Sequence, residues 1–227
     1  MECSVIIAAA GLGARFGSKT PKQFIELMGV PLIIRSLRIF DRTPEVKSII
    51  VVANSEWRDY LENNIFRYNI SKVKAIPDGG AVRQDSIWNA LSVESTKSSD
   101  IILIHDAVRP LTSIELVQKV IAAAEEYGAV IPALKPKDTI KITNGKSAVI
   151  QTLNRNNLCI VQTPQGFWRE ILVNGYEKAK INNYYATDDA QLVEAAGYRV
   201  QIIEGEETNI KITTPLDMKF AELILNN

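Results

Sequence analysis

Short apolar runs alternate with helical patterns along most of the chain, and glycine, proline or polar clusters close each run. That beat predicts a largely parallel sheet with helices on both faces, because strands buried on two sides read as continuous apolar runs. The runs predict core strands over Ser4–Ala9, Ser48–Val52, Val73–Ile76, Ile101–His105 and Ala129–Ala133, with later ones over Cys159–Gln162 and Val200–Ile203. Between them, Pro31 suits a first helical position, and Leu32, Ile33, Leu37 and Phe40 fall on one helical face. Ser55 and Ser113 read as N-caps, and Gly128 and Gly197 as C-terminal stops. Thr214-Pro215, with Asp217 in the first turn, opens a last helix over Leu216–Leu225.

One segment breaks the beat. Thr139–Thr143 and Ser147–Leu153 are β-like runs around Asn144-Gly145, a strong hairpin signal. This predicts an arm inserted at about residues 136–155 of one domain spanning residues 1–227. A two-stranded arm is only marginally stable alone, so it either packs on a second copy of the chain or folds back on its own sheet.

Composition narrows the chemistry. The chain has 227 residues, 46% of them hydrophobic and 23% charged, enough for one well-buried core. Lysine plus arginine equals aspartate plus glutamate at 26 each, so no global field draws in a nucleic-acid backbone or an anionic membrane. Any cationic site has to be local. No apolar run nears the roughly 18–20 residues that span a bilayer, and the N-terminus enters a strand without a signal-peptide pattern. A soluble, cytoplasmic protein with neither nucleic-acid nor membrane partner is expected. Cys3 and Cys159 lack CxxC spacing and read as buried, reduced thiols. The single histidine, His105, excludes a histidine-ligated metal cluster and has no evident partner. Trp57, Trp88 and Trp168 show no base-stacking pattern and are expected in or against the core.

The first strand runs into Ala8-Ala9-Ala10-Gly11-Leu12-Gly13-Ala14-Arg15-Phe16-Gly17, where small residues let backbone N–H groups approach a ligand. Gly17 comes one place late for GxGxxG, the second strand ends without a ribose-binding acid, and GxxxxGK[ST] is absent. Arg15, and Lys22 in Thr20-Pro21-Lys22-Gln23-Phe24, add cations that suit a polyphosphate; the same residues also fit an exposed turn. Asp106 follows a strand at the carboxyl end, where open α/β sheets bind ligands. It is placed for Mg²⁺, or else caps a helix or pairs with Arg109. Arg83 is expected to pair with Asp85 or open a solvated helix rather than hold phosphate.

Further blocks follow in order: Asp78-Gly79-Gly80, Arg83-Gln84-Asp85-Ser86, His105-Asp106-Ala107-Val108-Arg109-Pro110, Lys137-Asp138-Thr139, Asn154-Arg155-Asn156, Gln162-Thr163-Pro164-Gln165, Thr187-Asp188-Asp189 and Asn209-Ile210-Lys211-Ile212-Thr213. With Ala9-Ala10-Gly11-Leu12-Gly13-Ala14-Arg15 and Pro21-Lys22-Gln23, this ordered set resembles the 2-C-methyl-D-erythritol 4-phosphate cytidylyltransferases of the non-mevalonate isoprenoid pathway. The resemblance covers nearly the whole chain. It implies a Rossmann-like, mostly parallel α/β sheet of the nucleotide-diphospho-sugar-transferase type, with a protruding β-hairpin arm interlocking a homodimer. It also implies transfer of the cytidylyl group of CTP to 2-C-methyl-D-erythritol 4-phosphate, with Mg²⁺ as cofactor and pyrophosphate as product.

By that resemblance Arg15, Lys22 and Lys211 serve the triphosphate as catalytic residues, and Ala9, Ala10, Gly11, Gly13, Gly80, Ser86 and Asp106 bind CTP. Arg109, Thr139, Arg155, Thr163 and Thr187 take the polyol phosphate, several of them across the dimer, and Asp106 sits at Mg²⁺. Without the resemblance Thr187 reads simply as a helix N-cap. Ala81 stands where many relatives carry an acid, Asn154 precedes Arg155 where Asp is frequent, and Cys159 stands where an aromatic is common. A phosphate-monoester nucleophile is already largely dianionic at neutral pH, so positioning and charge neutralisation, not a general base, would carry the rate. Ribitol-5-phosphate cytidylyltransferases share the fold, nucleotide and arm but more often show Ala-Gly-Gly where this chain has Ala9-Ala10-Gly11. A non-catalytic nucleotide sensor would not need Arg15, Lys22, Asp106 and Lys211 together.

Overall fold

The computed structural model describes residues 1–11 and 20–226. Strand β1 (Cys3–Ala8) is followed by the short pair β2 (Glu26–Leu27) and β3 (Val30–Pro31), helix α1 (Leu32–Arg42) and β4 (Val46–Val52). Next come α2 (Arg58–Arg67), β5 (Val73–Ala75), α3 (Arg83–Leu91), the single turn α4 (Glu94–Lys97) and β6 (Ile101–Asp106). Helix α5 (Ile114–Tyr127), β7 (Ala129–Leu134), β8 (Lys141–Thr143), β9 (Val149–Thr152), β10 (Ile160–Val161) and β11 (Gln165–Trp168) follow. The chain closes with α6 (Arg169–Ile181), α7 (Asp189–Ala195), β12 (Gln201–Glu204) and α8 (Pro215–Asn226).

The main sheet has strand order β10-β7-β11-β6-β1-β4-β5, with β12 also on β7. β6, β1, β4 and β5 run parallel, as expected of the βαβ beat, whereas β11 is wedged antiparallel between β6 and β7. The sheet is therefore mixed. Neither β11 nor α6 is legible as an element in the sequence, because Gln165-Gly166-Phe167-Trp168 is short and carries a glycine. That glycine is there for packing: a Cβ on Gly166 would stand 2.8 Å from Val120 Cγ1 and 3.2 Å from both Ala124 and Leu103, so α5 could not lie as close.

Alternation along β1 explains the two-sided core. Val5 and Ile7 face the layer with Ile33, Leu37 and Phe40 of α1 and Leu116, Val117 and Val120 of α5. Ile6 faces the other layer with Ile87 and Leu91 of α3, Leu172 and Tyr176 of α6, and Leu192 of α7. Ser113 caps α5, its hydroxyl accepting from Leu116 N–H at 2.9 Å, and Gly128 ends it at φ 79°. Ser55 is not a cap: Asn54 precedes a 3₁₀ turn over Ser55–Trp57, and α2 begins only at Arg58. Thr187 is not the cap of α7 either; Asp188 holds that place and accepts from Gln191 N–H.

The hairpin forms as its Asn144-Gly145 turn predicts. Gly145 sits at φ 76°, and the Asn144 side chain accepts from Lys146 and Ala148 N–H. β8 and β9 make a separate two-stranded sheet whose residues are all exposed, so the arm does not fold back on the main sheet. Cys159 is exposed, contrary to expectation, while Cys3 is buried, its thiol pushed by burial up to about 12. The expected strand over Cys159–Gln162 pairs only at Ile160–Val161, which leaves Cys159 beyond the ladder. No helix among the described residues is long and apolar enough to cross a membrane.

Candidate active site

The parallel strands end at a cavity of about 460 Å³ lined by Ala8, Ala9, Ala10 and Gly11 from the exit of β1, Lys22 and Gln23, the Gly80–Arg83 turn with Ser86, Asp106 and Val108 after β6, and Lys211. Arg15 and Gly13 lie outside the described residues. Each wall is fixed by local chemistry. Gln23 is buried and donates to the carbonyls of Ala9 and Gly11, at 2.5 and 3.0 Å, so the Pro21–Gln23 turn that carries Lys22 is stapled to the end of β1. Ser86 Oγ donates to Val82 O and accepts from Gly80 N–H, each at 3.0 Å, which folds the double-glycine turn over the start of α3. A side chain at Gly80 would run into Asp85, so only glycine fits.

Lys211 is placed by its neighbours. Ile212 is fully buried and donates its N–H to Val108 O at 2.9 Å. Asn209, also buried, donates to Thr163 O and accepts from the Thr112 hydroxyl. Between these anchors Lys211 Nζ reaches Asp106 Oδ2 at 2.7 Å. Arg83 and Arg109 each stand 3.9 Å from the same carboxylate. Burial by itself would raise the Asp106 carboxyl, but Lys211, then Arg83 and Arg109, hold it down at about 2. The cavity thus presents an ionised carboxylate inside a cationic surround, an arrangement that accepts further negative charge.

Beneath Asp106 lies a buried relay. Asp106 N–H donates to Thr163 Oγ1, and Thr163 Oγ1 lies 3.1 Å from His105 Nδ1. His105 Nε2 faces the carbonyl of Arg109 at 3.2 Å, so Nε2 carries the proton and Nδ1 accepts from the threonine. Burial pushes the His105 imidazole down to about 4, and it is neutral at physiological pH. His105 therefore has partners after all, and its role is to support the loop after β6.

Of the residues expected at the site, Ala9, Ala10, Gly11, Lys22, Gly80, Ser86, Asp106 and Lys211 meet at this one cavity. Arg109 and Thr163 lie under it: Arg109 is only 8% exposed and donates to the backbone carbonyls of Asn209 and Val161. Thr139, Arg155 and Thr187 are exposed and line no part of it. Arg155 instead borders a second, wider cavity of about 1390 Å³ at the base of the arm, with Lys135, Lys137, Cys159 and Glu207, and donates to Lys137 O at 2.6 Å. Thr187 donates to the Gln191 side chain.

Gln23 and Arg83 also line the cavity, although neither had been assigned to it. Gln23 stands in the same Pro-Lys-Gln phrase as Lys22 and was legible only as a neighbour. Arg83 pairs with Asp189 at 2.7 Å and not with Asp85. Residues two apart on a helix do not face each other, and Asp85 turns back to the Val82 N–H at the start of α3.

A family model described as IspD, 2-C-methyl-D-erythritol 4-phosphate cytidylyltransferase, matches residues 3–227. Curated proteins of that description from Geobacillus kaustophilus and Geobacillus thermodenitrificans are 44% and 45% identical over 225 residues, covering 99% of this chain and 97% of each relative. The crystal structure of 4-diphosphocytidyl-2C-methyl-D-erythritol synthase from Anaerococcus prevotii superposes with a TM-score of 0.86 at 33% identity, covering 100% of this chain and 99% of that one. A cavity ringed by Lys22, Lys211 and Asp106 at the end of a glycine-bearing strand, and these matches along the full length, place the chain in the 2-C-methyl-D-erythritol 4-phosphate cytidylyltransferase family.

Proposed function

We infer that the cavity at the ends of β1 and β6 is where this chain performs its family's reaction, transfer of the cytidylyl group of CTP to 2-C-methyl-D-erythritol 4-phosphate with release of pyrophosphate. The observation that carries this reading is the convergence of Lys22, Lys211 and Asp106 on one cavity floored by Ala8–Gly11. In such a transfer the oxygen of the acceptor phosphate attacks the α-phosphorus, and the bond to the bridging oxygen of pyrophosphate breaks. The acceptor is already an anion, so the obstacle is charge and not proton removal.

The division of labour follows from position. The backbone at Ala9–Gly11 and the Gly80 turn receive the nucleoside, and Lys22 and Lys211 take the triphosphate; Arg15, outside the described residues, is assigned to it by the resemblance alone. Lys22 follows charge onto the leaving pyrophosphate. Lys211 leaves its contact with Asp106 to hold phosphate oxygens, a compact charge on a flexible stem able to exchange one anion for another. Among the described residues no group of three Asp, Glu, His or Cys side chains is placed to hold a metal ion. A lone, fully ionised Asp106 nevertheless fits Mg²⁺, which is commonly held by one or two carboxylates plus substrate phosphates. When bound there, Mg²⁺ would neutralise phosphate charge and orient the α-phosphate.

The acceptor is assigned to Arg109, Thr139, Arg155, Thr163 and Thr187, with Thr139 and Arg155 delivered by the arm. Supporting a homodimer through that arm, Ile142, Val149 and Ile150 are 41%, 57% and 65% exposed on a hairpin with no core of its own. Apolar residues on such a hairpin suit contact with the same arm of a second copy. Pyrophosphate release with Mg²⁺, crossing the four nucleoside triphosphates with 2-C-methyl-D-erythritol 4-phosphate and ribitol 5-phosphate, tests the reading. Turnover is expected with CTP and the methylerythritol phosphate; turnover only with ribitol 5-phosphate overturns the acceptor, and CTP binding without turnover overturns the enzyme.

A further inference from the structure

Arg83 occupies the first position of α3, where a cation opposes the helix dipole. Two carboxylates outweigh that penalty. Asp189 at the start of α7 is completely buried and takes the Arg83 guanidinium at 2.7 Å on one oxygen and the Tyr176 hydroxyl on the other. The same guanidinium stands 3.9 Å from Asp106 through Nε, and Arg83 itself lines the cavity. Asp106 belongs to the nucleotide side. Asp189 is two residues from Thr187, on the acceptor side, in a segment pinned to β11 by the Gln165–Asp188 hydrogen bond. Two carboxylates in this corner would repel; a planar fork between them converts the repulsion into a bridge.

We propose that Arg83 is a positioning residue that ties the carboxylate after β6 to the start of α7, and so fixes the nucleotide side and the acceptor side of the cavity relative to each other. The proposal rests on reading this cavity as the transfer site. In-line transfer needs the reacting atoms within about 3–3.5 Å, and a misplacement on the order of 1 Å costs roughly 10²-fold in rate. A bridge of this kind therefore acts on kcat more than on nucleotide affinity.

Removing the cation outright would strand the buried Asp189, so the informative variants keep the local charge plausible. Arg83→Lys retains a cation that can serve one carboxylate at a time; Asp189→Asn releases the far end of the bridge and leaves Arg83 beside Asp106. Each variant is checked for folding by circular dichroism and thermal melting, for CTP affinity by calorimetry without acceptor, and for kcat and both KM values. The expected result is a kcat lowered about tenfold or more in each folded variant, CTP affinity within about threefold of wild type, and an acceptor KM that rises. Because both variants break the same bridge, the double variant is expected to be no slower than the worse single one. Folded variants with lowered melting temperature but wild-type kcat and KM would show a merely structural ion pair and overturn the proposal. Loss of CTP affinity equal to the loss of kcat/KM would make Arg83 a nucleotide ligand and also overturn it. A wild-type chain without turnover on CTP and polyol phosphate would instead remove the reading of the site, and the proposal with it.

Discussion

The cavity at the ends of β1 and β6 and the surface at the base of the arm, where Arg155 stands, are built in opposite ways. In the first, Asp106 is buried among Lys211, Arg83 and Arg109, and backbone and side-chain hydrogen bonds from Gln23, Asn209 and Thr163 fix the walls. In the second, Arg155 is exposed and spends one donor on its own chain at Lys137, and Lys137 pairs with Glu207 across open surface at 2.6 Å. Among the described residues, a single chain supplies the cations around Asp106. The arm side has charge without burial, and charge in water is worth little until something covers it.

The largest expected effect breaks the nucleotide side. Lys22→Ala or Lys211→Ala is expected to lower kcat about 10²- to 10³-fold, as when a preorganised charge-stabilising donor is lost. For Lys211→Ala, Arg83 and Arg109 remain beside Asp106, so the fold is expected to survive. Steady-state pyrophosphate release checks it, and near-normal kcat would remove either lysine from catalysis.

The floor of the same cavity predicts an acid sensitivity. His105 has a folded-state value of about 4 against an ordinary 6.5, so the unfolded chain binds the proton first. Stability is then lost as pH falls from about 6.5 to 4, at about 1.4 kcal/mol per pH unit and on the order of 3 kcal/mol in all. Asp106 carries the opposite group but the same sign: its value of about 2 lies below the ordinary 3.8, so its contribution holds above pH 3.8 and disappears as pH drops through 2. Denaturant melts of wild type and His105→Asn across pH 4–7 separate the two, since the variant should lack the upper slope.

On the arm, Ile150→Asp is expected to leave CTP affinity within about threefold while lowering turnover about tenfold and shifting the sedimentation coefficient to that of a monomer. Equal loss of CTP binding would dissolve the contrast between the two regions. The smallest effect concerns Arg58–Asp78, an ion pair at 2.8 Å close to the Gly80 turn but 36% and 63% exposed. Arg58→Ala is expected to cost less than about 1 kcal/mol in a thermal melt. A larger loss would mean that charge near the cavity matters irrespective of burial.

Local chemistry made much of this molecule legible in advance. Apolar runs located β1, β4, β6 and β7, Ser113 and Gly128 marked the ends of α5, and Asn144-Gly145 turned the hairpin, because each acts through residues a few places apart. The glycine-bearing exit of β1 and the lysine of Pro21-Lys22-Gln23 announced an anion site for the same reason. Tertiary structure alone decided what depends on distant partners. β11 pairs antiparallel with both β6 and β7, partners distant in sequence, and a short strand with a glycine carries no periodicity to declare itself. Arg83 chooses Asp189 over Asp85 because the fold brings a buried carboxylate from 106 residues away. Cys159 is exposed because its strand stops short of it. Sequence determines which groups are present and which local turns they favour; which cation meets which carboxylate is settled by packing, since charge pairing is strong only where water has been excluded.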